Sequence, residues 1–208
     1  MTRLADPAAE QVQRIAAECS SLDLLRDRAV QCVACPELAA ERQTVVPGEF
    51  TAGASLLLVG EAPGAQEDAT GRPFVGKGGQ LLDRLLEEAG LERHLIAVAN
   101  TLKCRPPSNR TPTRAEMHRC CGWLDRQVDL ADPRLVVTLG GTALSWALGT
   151  GHRLGDVRGR LHEWRGRSLL ATYHPSAILR ARTPEDRERM LAALVGDLTI
   201  AAEAIGRR

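Results

Sequence analysis

The 208-residue chain is 44% apolar and 25% charged, with a formal net charge of +1, a balance that fits one folded domain with a sizeable core. The polar, charged opening MTRLADPAAEQVQR is unlike a secretory leader, and the aliphatic run at residues 56–59 is far too short to cross a bilayer, so a cytoplasmic protein without membrane contact is expected. Near-neutral charge neither supports nor excludes a nucleic-acid partner and leaves any such contact to local arginines. The 27 basic residues include only two lysines, Lys77 and Lys103, and an arginine excess of that kind carries no weight for phosphate recognition.

In chain order, residues 1–31 read as a helical segment, one or two helices, packed on the main domain. Four short apolar runs follow at residues 55–59, 95–99, 135–139 and 169–173, each bounded by polar or glycine-rich sequence, and each predicts a buried strand. Between them lie helical patterns. Residues 80–89 place Leu81, Leu82, Leu85 and Leu86 on one face, and residues 114–130 align Met117, Cys120, Leu124 and Val128. Thr113 with Glu116 forms a capping box, and Thr183 before Pro184 starts a last helix reaching about residue 204 with Leu191, Leu194 and Leu198 inward. The alternation predicts a single α/β domain spanning 1–208, a three-layer α/β/α fold with a central four-stranded parallel sheet. Ligands of such sheets bind beyond the carboxyl ends of the strands. There the sequence places GEAPG, Asn100, GGTA and HPSAILR, one after each strand in turn.

Six cysteines in a reducing compartment argue against a disulfide framework. Cys32 and Cys35 form a close pair, Cys104 follows the second strand, and Cys120 lies on the inner face of the helix beyond a proline-rich turn. Four thiolates can hold one zinc ion or a cubane cluster, while Cys104 and Cys120 could also be buried apolar residues. Cys121 falls off the apolar stripe, and Cys19 reads as a packed or solvent-facing thiol.

The loop after the first strand is long, glycine-rich and acidic, and loops of this length in a compact domain usually carry function. It lacks the spacing of a phosphate-binding P-loop, and Glu67 and Asp68 would repel a triphosphate. Phe74, one of only two phenylalanines, falls in this polar loop and can serve the core or a stacking platform for a nucleobase.

Taken together, GEAPGAQEDATGRPFVG, ANTLKCRPPSNRTPT and YHPSAILR resemble the family 4 uracil-DNA glycosylases, the iron-sulfur branch of that superfamily, from about Cys32 to the C-terminus. The resemblance implies a DNA-repair enzyme that hydrolyses the N-glycosidic bond of uracil and leaves an abasic site. It implies a [4Fe-4S] cluster on Cys32, Cys35, Cys104 and Cys120, with a structural role. It implies that Phe74 stacks on the extruded base, that the Asn100 amide pairs with its O4 and N3 edge, and that His174 donates to O2, helped by backbone amides of the turn formed by Gly60, Glu61, Ala62 and Gly64. Where another branch has a water-orienting aspartate, this chain has Ala62, and Glu67 becomes the candidate. Ser176, Ile178, Leu179 and Arg180 would form the segment that enters the duplex, with Ile178 or Leu179 filling the vacated stack and Arg180 on phosphate; Gly140, Gly141 and Thr142 would offer donors to another phosphate.

A related branch traps its product on a histidine in a basic insertion after strand two; residues 105–112 contain no histidine, so turnover is expected. His118 and His152 read as solvated. Uracil-containing DNA, single- or double-stranded, is the expected partner of a monomer. A non-catalytic iron-sulfur DNA-binding or electron-transfer module, or a glycosylase for another deaminated base, are the alternatives that the same motifs leave open.

Overall fold

The apolar runs form strands because every residue in them has a side to bury. The computed structural model describes residues 6–206; residues 1–5, the start of the predicted N-terminal segment, lie outside the described residues. In chain order the elements are α1 (Pro7–Ala17), α2 (Leu22–Ala29), α3 (Pro36–Glu41), β1 (Leu56–Gly60), α4 (Ala65–Thr70), α5 (Lys77–Glu88), β2 (Ala97–Asn100), α6 (Arg114–Ala131), β3 (Leu135–Leu139), α7 (Gly141–Leu148), α8 (Leu154–Val157), β4 (His162–Trp164), β5 (Arg167–Thr172), α9 (Pro175–Leu179) and α10 (Pro184–Gly206).

Among the described residues the sheet has five strands rather than four, in the order β2-β1-β3-β5-β4. The four expected strands are mutually parallel, and β4 adds an antiparallel edge. The extra strand escaped the sequence reading because it is three residues long and only Trp164 in it is buried. Its hairpin turns on Arg165 and Gly166, both at positive φ (48° and 73°), the conformation of a tight two-residue connection. The Arg165 guanidinium lies 4.7 Å from the Trp164 ring centroid and pairs with Asp125 at 2.9 Å. On the opposite edge, Glu49 exchanges two 2.8 Å backbone bonds with Val98, so that edge is partly covered.

Alternate strand residues fill the two faces. Leu56, Leu58, Val98, Val137 and Leu170 pack with α5 and α10, through Leu82, Leu86, Leu194 and Leu198. Leu57, Val59, Ala99, Val136 and Leu169 pack with α6 and α7. A separate apolar cluster joins α1, α2 and α3 to α6 around Leu25, Leu38, Leu102 and Trp123, and it contains Cys104 and Cys120. Among the described residues, no helix is long and apolar enough to cross a membrane.

A buried polar clamp ties α10 to the end of β5. Asp197, 3% exposed, accepts two bonds from Arg158 Nη2 (3.0 and 2.8 Å) and one from Thr172 Oγ1 (2.5 Å). Removing the carboxylate would leave the guanidinium and the hydroxyl without their shared acceptor. Asp197→Ala is expected to lower the unfolding free energy by about 3 kcal/mol, read as a lower urea midpoint at unchanged slope; an unchanged midpoint would contradict the clamp.

Candidate functional site

The parallel strands end at one mouth, and a cavity of about 720 Å³ opens there. Gly60 does not itself line the cavity; it ends β1 directly beside Asn100, its partner across the sheet, which does. A methyl group on Gly60 would collide with Asn100 Oδ1 and come within 2.6 Å of Phe74 Cζ and 3.4 Å of His174 Nε2. An aromatic ring, an amide and an imidazole brought together from three separate segments therefore converge on one backbone point.

Each arrives by a local device. Asn100 is the last residue of β2 and is buried. Phe74 takes a left-handed backbone (φ 56°), costly for a residue with a Cβ, and is held so by α5, where a Cβ on Gly79 would collide with the Phe74 carbonyl. Its ring lies 6.0 Å from that of His174, with 26° between the planes. His174 precedes α9, and its Nδ1 accepts the Ser176 amide at 3.1 Å. In the neutral ring the proton is thus on Nε2, the nitrogen nearest Gly60. Burial, with a smaller push from the Arg180 charge, lowers the His174 pKa from 6.5 to about 4. The site accordingly holds a neutral N–H donor at physiological pH.

Glu67 is a buried brace. One oxygen accepts the Gly64 amide at 3.1 Å and the other the Gly76 amide at 2.7 Å, which closes the loop on itself while each oxygen keeps a second lone pair. The Gly64 amide is thereby engaged and is not a free donor to a ligand. The adjacent Asp68 accepts the amides of Gln43 and Thr44, fastening α4 to the chain before β1. The long loop thus contains a short helix, α4, which sequence periodicity could not reveal in six residues.

Glu61, Ala62, Gly64, Gly141, Ser176, Leu179 and Arg180 also line the cavity. The Thr142 hydroxyl donates to the Glu61 carboxylate, so that side chain already has a partner. Ile178 is fully buried in the core, which removes it as a residue that enters a duplex, while Leu179 is 41% exposed beside Arg180. The segment forms a helical turn, and only one of two consecutive apolar residues can face outward. Tyr173, Asn109 and Arg110 line the cavity as well and were missed. Tyr173, the single tyrosine, directly precedes His174 and lies under the Arg158 guanidinium, 5.1 Å away. Of the two histidines expected in solvent, His152 is exposed and His118 half-buried.

Against the middle of α6, Cys32, Cys35, Cys104 and Cys120 line a second, apolar pocket with Leu38 and Trp123. Burial, reinforced by Cys104 and Cys32, pushes the Cys35 thiol up to about 11, and burial also raises Cys104 and Cys120. Four thiols lining one pocket are donors of the kind that, once deprotonated, hold zinc or an iron-sulfur cluster. Positive charge is near: Arg42 donates to Cys104 Sγ (3.1 Å) and to the Cys32 carbonyl (2.6 Å). The buried Trp123 Nε1 lacks a hydrogen-bond partner among the described residues, and an inorganic sulfide is one acceptor that would suit it. Among the described residues, no group of three or more His, Cys, Asp or Glu side chains is gathered to chelate a single ion. Cys121 does not line the pocket and donates to the His118 carbonyl, while Cys19 is packed against α1 and donates to Ile15.

The family described as the uracil DNA glycosylase superfamily matches residues 47–199. The type-4 uracil-DNA glycosylase of Thermotoga maritima is 42% identical over 172 residues, covering 82% of this chain and 89% of that protein. The type-4 uracil-DNA glycosylase of Pyrobaculum aerophilum is 41% identical over 167 residues, covering 76% and 85%. A type-5 uracil-DNA glycosylase of the same organism is 30% identical, covering 73% and 81%.

A folded-state pKa near 4 against 6.5 makes His174 bind fewer protons folded than unfolded between those values. Its contribution to stability is therefore complete above about pH 6.5 and declines as the pH falls toward 4. In nitrogen NMR the ring is expected to remain neutral, with the proton on Nε2, down to about pH 5; a midpoint near 6.5 would contradict the buried geometry.

Proposed function

Because the chain belongs to the uracil DNA glycosylase superfamily and, within it, to the type-4 uracil-DNA glycosylases, we propose that it is a monofunctional DNA-repair hydrolase. It cuts the N-glycosidic bond of uracil in DNA and leaves an abasic site. The observation that carries this reading is that Phe74, Asn100 and His174 line one cavity and converge beside Gly60.

The target nucleotide leaves the base stack and enters the cavity. Phe74 stacks on the ring. The Asn100 side chain donates from Nδ2 to O4 and accepts the N3 proton at Oδ1, a pattern that cytosine reverses at both atoms. As the glycosidic bond breaks, negative charge gathers on O2, and His174 Nε2–H donates to it from a neutral ring. That avoids storing a buried cation before the reaction. Glu67, with a lone pair left on each oxygen, orients the water that captures the sugar cation.

Leu179 fills the vacated stack and Arg180 meets phosphate, with Ser176 and the amide of Gly141 at the start of α7 as further backbone contacts. The four cysteines hold a [4Fe-4S] cluster, whose contribution is to join α1–α3 to the segment after β2 and to α6. The protein works as a cytoplasmic monomer on single- or double-stranded uracil-containing DNA.

Oligonucleotides carrying one uracil, incubated with protein and then alkali, are expected to break at that position. His174→Asn should lower kcat by on the order of 100-fold or more, and Asn100→Asp should shift preference toward cytosine. Intact strands with DNA binding retained would contradict the activity. The purified protein should be brown, with iron and sulfide in equal amounts, and Cys120→Ser should lose both; a colourless protein with stoichiometric zinc would contradict the cluster.

A further inference from the structure

Lys103 is one of only two lysines, and its side chain is buried with 1% of the residue exposed. An ammonium removed from water is retained only where it is well bonded. Its Nζ donates to the main-chain carbonyl of Asn100 at 2.8 Å and to Gln127 Oε1 at 2.6 Å. Gln127 in turn donates from Nε2 to the Pro47 carbonyl at 2.6 Å, anchoring the assembly to α6 and to the chain along the β2 edge. The backbone amide of Lys103 donates to Cys120 Sγ at 3.3 Å, and its carbonyl accepts the Val46 amide at 2.7 Å. A single residue thus touches the end of β2 through its side chain and a cysteine of the second pocket through its backbone.

The Asn100 carbonyl is the last acceptor of β2, at the point where the chain turns from strand to loop. The Thr101 amide of that same peptide donates to the Gly60 carbonyl at 2.9 Å and the Leu102 amide to the Glu61 carbonyl at 3.0 Å, so the peptide is held at its N–H by β1 and at its carbonyl by Lys103. Rotating that peptide would swing the Asn100 side chain across the floor of the cavity. We propose that Lys103 is a positioning residue that fixes the Asn100 peptide, and with it the base-reading amide, through the bond from its buried ammonium to the Asn100 carbonyl. This rests on the uracil-reading role of Asn100 proposed above. Lys103 itself stays clear of the substrate, and its backbone bond to Cys120 makes the reading amide sensitive to how the cysteine pocket is packed.

Lys103→Met keeps the length and removes the donor, and Lys103→Arg restores donors and charge. The chain has two asparagines, Asn100 and Asn109, so asparagine-selective nitrogen labelling resolves the two side-chain amides. In Lys103→Met the Asn100 amide signals should move while those of Asn109 stay. The kcat on uracil-containing DNA should fall on the order of 10-fold with KM little changed, and the preference for uracil over cytosine should narrow. Lys103→Arg should recover most of that preference, and iron content should match wild type in both. Unmoved Asn100 signals with unchanged kinetics in an active background would overturn the proposal, as would a Lys103→Arg variant no better than Lys103→Met. An inactive wild-type protein would instead remove the uracil reading, while the NMR comparison would still test the positioning. If Lys103→Met does not fold, Gln127→Met, which takes away the second anchor of the ammonium, should shift the same Asn100 signals in the same direction; no shift there would also overturn it.

Discussion

The site depends on a hydrogen atom where every other residue has a carbon. Gly60 ends β1, an inner strand between β2 and β3, and only its lack of a Cβ lets Phe74, Asn100 and His174 approach one point from three directions. The sheet register sets the first approach, because Gly60 and Asn100 are lateral partners. The left-handed backbone of Phe74 sets the second. The turn from β5 into α9 sets the third, with His174 close against Gly140 and its Nδ1 engaged by the Ser176 amide. A strand end, a loop residue braced against α5 and a helix cap deliver these groups, each fixed by packing or hydrogen bonds, which favours a preorganised pocket.

Electrostatics follow from that packing. Enclosure drives His174 toward its neutral form, and the hydrogen bond at Nδ1 chooses which nitrogen keeps the proton. The acidic loop is no solvated run of charge: Glu67 and Asp68 each receive backbone amides and hold α4 between the cavity and the chain before β1. The short stretch from Asn100 to Cys104 connects the cavity to the cysteine pocket in five residues, so the two centres share one piece of rigid backbone.

Much of this was legible in the residues. The four parallel strands, the helix at α6 with its capping box, and the motifs at the carboxyl ends of the strands are all where periodicity and punctuation put them, within about two residues. Strand β4 was not, because a three-residue edge with one buried side chain leaves no period to read, although the Arg165-Gly166 pair before β5 was a turn signal. The two-residue choice between Ile178 and Leu179 was also beyond sequence, since both are aliphatic and only the turn of α9 decides which one packs inward. Lys103 was visible as an oddity in an arginine-rich chain, but its burial depends on α6 and the β2 edge, which are distant in sequence.

The most direct measurement on the central claim is calorimetric binding of free uracil to Gly60→Ala, with the melting temperature taken alongside. The account predicts a folded protein that has lost uracil affinity, because the added methyl group occupies the ground on which the three side chains meet. A folded Gly60→Ala that binds uracil as tightly as wild type would contradict it.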